Sequence, residues 1–86
     1  MWNIMVKVEY RAEMLALCKV NSEEIDVKNV AEAIKFIEKK YGKEAKKEAK
    51  KMLIVVDGTS INLQKHFKTE LNDGQTLSFL PICGGG

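Results

Sequence analysis

Apolar and polar positions alternate from Trp2 to Tyr10, with Ile4, Val6, Val8 and Tyr10 on one side and Asn3, Met5, Lys7 and Glu9 on the other. A period of two carried by β-branched residues predicts a half-buried strand. From Arg11 to Glu23 the pattern is ambiguous. Met14, Leu15, Leu17 and Cys18 have helical spacing, while Leu15, Leu17 and Lys19 could also open a strand; a compact turn with some helical character is expected. A short strand follows at 23–27, with Ile25 and Val27 inward.

The clearest helical signal starts at Asn29. Asn29 as N-cap with Glu32 three residues on approximates a capping box, in which each side chain satisfies a free backbone donor near the helix start. Val30, Ala33, Ile34, Ile37 and Tyr41 form one stripe, and Gly42 is placed to end the helix. Lys43 to Lys51 is rich in helix formers but has only Ala45 and Ala49 as an apolar stripe, which predicts a shallowly docked second helix. Its lysines, with Lys39 and Lys40, read as a solvated face balanced by Glu38, Glu44 and Glu48.

Met52 to Val56 is an unbroken apolar run, as in a strand covered on both sides. Asp57-Gly58 has the chemistry of a type I′ hairpin turn, with 59–63 as the returning strand. His66, the only histidine, has no nucleophile or second ligand near it in sequence and reads as a surface or loop residue. Asp73-Gly74 signals another turn before the last strand, 76–82, in which Leu77 and Phe79 point one way and Ser78, Leu80 and Ile82 the other. Two strands before the helices and two or three after predict an α+β roll: a mixed four- to five-stranded sheet with one main helix across one face and a second, shorter helix. If the first and last strands pair centrally, Phe79 is held by the sheet and the chain beyond it projects from the sheet end.

At 86 residues the chain makes one small domain without room for an enclosed enzyme cleft. We place that domain at 1–82 and a flexible glycine tail at 83–86. A net charge of +2 with Arg11 as the only arginine argues against a nucleic-acid partner. No stretch is apolar for the roughly 20 residues a membrane helix needs, and no leader pattern opens the chain, so a cytoplasmic protein without a membrane partner is expected. Cys18 and Cys83 form no paired spacing for zinc or redox chemistry and suit a reducing compartment; no metal site is expected.

The stretch of most chemical interest is FLPICGGG, from Phe79 to Gly86. Three glycines in a row hold no fold together. Such a tail is either a frayed end or a thread for a slot too narrow for side chains, with the Gly86 carboxylate at its tip. Cys83 lies beside it, and its thiol is a weak candidate for attack on an activated Gly86.

The element order together with LNDGQTLSFLPICGGG resembles the MoaD/ThiS family of β-grasp sulfur carriers, relatives of ubiquitin. In that family a DG turn leads into a short apolar strand, a proline and a terminal Gly-Gly, here Asp73, Gly74, Leu77 to Leu80, Pro81, Gly85 and Gly86. Within the family the likeness is greatest to small subunits of molybdopterin synthase; thiamine-type carriers tend to be shorter and to lack a helix like Lys43 to Lys51. Ile82 stands where a second proline is usual, and Gly84 where another small residue is more common.

The resemblance implies a ubiquitin-like β-grasp fold and a carrier that is not an enzyme on its own. A ubiquitin-activating-type adenylyltransferase would consume ATP to adenylate Gly86, and a sulfur donor system would convert it to a thiocarboxylate. The tail, with Gly84 and Gly85 as its slender part, would then enter the molybdopterin synthase large subunit. No bound cofactor is implied. Leu80, Pro81, Ile82 and Met5 would contribute to partner docking, with core packing the rival role for Leu80, Ile82 and Met5. A ubiquitin-like modifier, a thiamine or tRNA-thiolation carrier, and a noncovalent or RNA-binding module using Lys39 to Lys51 are the alternatives.

Overall fold

The computed structural model describes residues 4–82. Strand β1 (Met5–Tyr10) is followed by helix α1 (Ala12–Cys18), β2 (Ser22–Asp26), α2 (Val30–Tyr41), α3 (Lys43–Lys51), β3 (Leu53–Val56), β4 (Thr59–Ser60) and β5 (Thr76–Leu80), with two 3-10 turns at Ile61–Leu63 and His66–Lys68 between the last two strands.

The five strands form one sheet in the order β2-β1-β5-β3-β4. The two central strands, β1 and β5, are parallel, with Val8 opposite Leu77 and Tyr10 opposite Phe79, and the other neighbours are antiparallel. Period-two alternation accounts for the sheet's orientation. Val6, Val8, Tyr10, Leu77, Phe79, Ile54 and Val56 are buried against the helices, while Met5, Lys7, Thr76 and Leu53 face the other way. The sheet with α2 across it is the α+β roll the element order predicts, in the ubiquitin-like β-grasp form the family resemblance implies.

The ambiguous stretch after Arg11 resolves as a helix. Met14 and Cys18 point into the core while Leu15 and Leu17 stay exposed, and Lys19, with a φ of +64°, ends it by donating to Leu15 O at 2.8 Å. At the start of α2, Asn29 Oδ1 accepts from the Glu32 amide at 2.8 Å, but Glu32 Oε1 reaches past Asn29 to the Lys28 amide at 2.9 Å. The capping box is therefore offset by one residue. Val30, Ala33, Ile34 and Ile37 are buried as expected. Ala45 and Ala49 are fully buried too, so α3 docks closely because its contact side chains are small.

The hairpin turn is as its sequence demands, with positive φ at Asp57 (+49°) and Gly58 (+86°). The returning strand, in contrast, lasts only for Thr59 and Ser60. Ser60 Oγ accepts the Asn62 amide at 3.1 Å, which caps a 3-10 turn and swings Ile61 into the core. The apolar run before the turn is covered on both sides at Ile54, Val55 and Val56 but not at Leu53.

Candidate functional site

The residues immediately before the glycine tail are fixed by their place in the sheet. Phe79 is fully buried, and its ring stacks on that of Tyr10 with centroids 6.1 Å apart and planes at 15°. Tyr10 in turn meets Tyr41 edge to face at 5.9 Å. Both tyrosine hydroxyls donate to Glu23 Oε2, at 2.7 Å from Tyr10 and 2.6 Å from Tyr41, while Lys40 Nζ donates to Oε1 at 2.7 Å. A continuous chain of contacts thus ties β5 through β1 to β2 and the end of α2. Charge-assisted bonds of this kind are short and strong.

The ionisation of the cluster follows from its contacts. Burial pushes the Glu23 carboxyl up, but hydrogen bonds from Lys40, Tyr41 and Tyr10 outweigh it and hold the group below the usual carboxylate value. Burial and the bond to Glu23 raise Tyr41 to about 12, and the same causes raise Tyr10 further. Burial raises the Cys18 thiol to about 11, with the Glu23 charge adding to it, so Cys18 is a packing residue and a poor nucleophile. Neither this cluster nor its pairing was visible in the sequence, because its members lie 13 and 18 positions from Glu23.

On the open face, Ser78 Oγ donates to Glu9 Oε1 at 3.0 Å, and Lys7 and Arg11 lie 3.6 Å from the Glu9 carboxylate oxygens. Leu80 is half-buried and stands opposite Leu53, itself 36% exposed; Pro81 is exposed, and Ile82 is 66% exposed. These side chains form an apolar strip at the end of the sheet from which the tail departs. Met5 does not join it. It is exposed, as a docking residue would be, but lies at the start of β1, level with the Asp73-Gly74 turn, to which its backbone is bonded in both directions at 2.9 Å. The parallel register puts Leu80 about six residues further along, roughly 20 Å away.

Cys83, Gly84, Gly85 and Gly86 lie outside the described residues. His66 is exposed in a 3-10 turn. Among the described residues, no group of three or more His, Cys, Asp or Glu could hold a metal ion, and no helix is long and apolar enough to cross a membrane.

The sheet order β2-β1-β5-β3-β4 with α2 across one face defines a ubiquitin-like β-grasp protein. The model of the ThiS family matches residues 9–86, and the chain belongs to that family of sulfur carriers. No curated protein matches it by sequence. Among solved structures, small archaeal modifier protein 1 from Methanosarcina acetivorans superposes with a TM-score of 0.83 at 18% identity, covering 100% of both chains. A putative molybdopterin converting factor subunit 1 from Pyrococcus furiosus gives 0.69 at 25% identity over 92% of this chain and 99% of that one. A chain in the complex of subunits 1 and 2 of molybdopterin-converting factor from Helicobacter pylori gives 0.70 at 25% identity, over 96% and 100%.

Proposed function

We propose that the chain is a cytoplasmic sulfur carrier whose Gly86 carboxyl is converted to a thiocarboxylate, with molybdopterin synthesis as the leading destination for the sulfur. The observation that carries this reading is the placement of the tail root. The chain leaves the middle of the sheet from a fully buried Phe79, turns outward at exposed Pro81 and Ile82, and stands four residues short of Gly86. The family match running through residue 86 supports it.

The chemistry suits a partnered carrier. A carboxylate resists nucleophiles because of its negative charge and poor leaving group. Attack of a Gly86 oxygen on the α-phosphorus of ATP releases pyrophosphate and leaves an acyl adenylate. A sulfide-level nucleophile from the sulfur donor system then adds at the carbonyl carbon and AMP departs, leaving carbon bonded to sulfur. The activating enzyme and the receiving large subunit supply the acids and bases. This chain contributes a reactive group on a thread without side chains, Gly84 to Gly86, and a rigid handle behind it.

A second reading, a protein modifier that forms an isopeptide bond through the same tail, draws support from the overlay on the archaeal modifier, whose TM-score of 0.83 exceeds the 0.69 and 0.70 of the two converting-factor subunits. Intact mass after incubation with an activating enzyme, ATP and a sulfide source separates them. One oxygen-for-sulfur exchange on the wild type, absent after deletion of Gly85 and Gly86, is the result expected of a carrier. Ladders of conjugates would favour the modifier, and an unchanged mass under every condition would end both.

A further inference from the structure

Beside the tail root the molecule carries a groove of 290 Å³ that the sheet topology alone does not explain. It is lined by Met52, Leu53, Ile54, Ile61, Phe67 and Ile82 on its apolar walls, with Lys50, Lys51 and His66 at the rim. Among the described residues, no carboxylate lines it. Phe67 is 38% exposed and Ile82 66%, so large apolar side chains of the groove meet water beside the last described residue.

The wall that presents Phe67 is held rigidly. Lys65 N donates to Thr69 Oγ1 at 3.1 Å, and the Thr69 amide closes the turn onto His66 O at 3.0 Å. The buried Thr69 accepts the Val30 amide at 3.1 Å through its carbonyl, and Leu71 N bonds Lys28 O at 2.8 Å, which pins the loop to the start of α2. His66 sits at a φ of +54°, a conformation non-glycine residues rarely adopt. A strained backbone, cross-braced on both sides, thus holds an aromatic ring half out of the core. Lys50 Nζ lies 5.7 Å from the centre of that ring, and among the described residues neither Lys50 nor Lys51 has a carboxylate partner.

We propose that this groove is a docking site continuous, through Leu53 and Ile82, with the apolar strip at the sheet end, and that it takes an acidic peptide segment of the protein that acts on Gly86: one or two apolar side chains seated between Leu53, Phe67 and Ile82, flanked by carboxylates on Lys50 and Lys51. The identity of that protein rests on the carrier reading; the groove's chemistry does not. At 290 Å³ the space falls just below the range of about 300–1,000 Å³ common for small-molecule sites, and it is open, which suits side chains from a protein surface. The cations set the sign of the partner and speed its approach, and the apolar floor supplies the anchor. Because Ile82 forms part of the wall, a segment seated here lies within the reach of four residues, about 14 Å, of Gly86.

The test uses the full ¹⁵N-labelled chain and two short synthetic peptides, each with two central leucines, one flanked by glutamates and the other by lysines. The glutamate peptide is expected to shift the amide signals of Lys50 to Leu53, Ile61, His66 to Lys68 and Ile82 saturably. Binding should weaken about tenfold or more in Lys50→Glu/Lys51→Glu, in Phe67→Ala and at high salt. Equal response to the lysine peptide, shifts confined to Lys7 and Thr76 on the open face, or no shift would overturn the proposal. So would signals at the groove that move with protein concentration alone, which would make a second copy the occupant. With an activating enzyme present, the Lys50→Glu/Lys51→Glu variant should gain sulfur more slowly than wild type. A wild type that binds the glutamate peptide yet never gains sulfur would defeat the carrier reading and leave the groove intact.

Discussion

Glu23 is the residue on which most of the fixed geometry behind the tail depends. Its carboxylate accepts from two tyrosines and a lysine, and losing the charge would leave two phenol groups short of an acceptor in a partly buried site. The sign of the pH effect follows from the direction of each shift. Held below its ordinary value, the Glu23 carboxyl adds stability above the unfolded pKa of about 4.3, and that stability is lost as pH falls through the lower folded value. Tyr41, raised to about 12, and Tyr10, raised further, favour the fold below the unfolded value of about 10 and lose their contribution as pH climbs past it. Urea melts across pH should therefore show a plateau between the two limits, and Glu23→Gln should lower the plateau and flatten the acid limb. An acid limb unchanged by Glu23→Gln would show that other carboxylates govern acid unfolding.

Among the elements, the junction between α2 and α3 is set by a single residue. Gly42 has φ +100° and ψ 176°, a region almost closed to residues with a Cβ, and its N–H bonds Glu38 O at 2.9 Å while its carbonyl accepts Lys46 N at 3.2 Å. The space around it is open, with nothing within 4 Å of an added Cβ, so the cost of Gly42→Ala is conformational. We expect a loss of about 1–3 kcal/mol in equilibrium unfolding, with the turn glycine Gly58→Ala as a comparison at a milder left-handed φ of +86°. A value near zero for Gly42→Ala would mean that the helix pair can re-register around the bend.

These elements also mark where sequence reasoning succeeds and where it stops. Strands β1 and β5, the α2 stripe and the Asp57-Gly58 turn were legible because periodicity and turn chemistry are local. The α1 helix was not decided, because Leu15 and Leu17 sit at helical spacing yet remain exposed, so the pattern mixed core and surface residues. The returning strand was overextended past Ser60 because the 3-10 cap formed by Ser60 with Asn62 looks like an ordinary strand sequence until its hydrogen bond is seen. At the site, Gly84 to Gly86 lie outside the described residues, and the pattern groups Met5 with Leu80 because both fall on the outward face. Only the register of the parallel pair separates them.

Over the whole molecule, charge is unevenly divided. From Lys35 to Lys51 eight lysines face three glutamates, while elsewhere acids outnumber bases by nine to six. The helix layer is the positive side, and the groove under the tail root lies where that layer meets the sheet. Such a field orients a partner before contact. It predicts that association with the activating enzyme slows with ionic strength more in its on-rate than in its off-rate, measurable by stopped-flow; salt-independent association would remove the role assigned to the lysines. Truncation after Ile82 should abolish sulfur loading while changing unfolding free energy by no more than about 0.5 kcal/mol. A larger loss would mean that the tail helps to hold the body together.

The parallel pairing of β1 with β5 has a mechanical meaning as well. Ile4 and Ile82 leave the two central strands from opposite ends, so a pull between them loads the Lys7 to Tyr10 and Thr76 to Phe79 ladder in shear, with its bonds sharing the force rather than unzipping in turn. A body loaded this way through its two central strands keeps its shape under a pull that would peel a hairpin apart strand by strand.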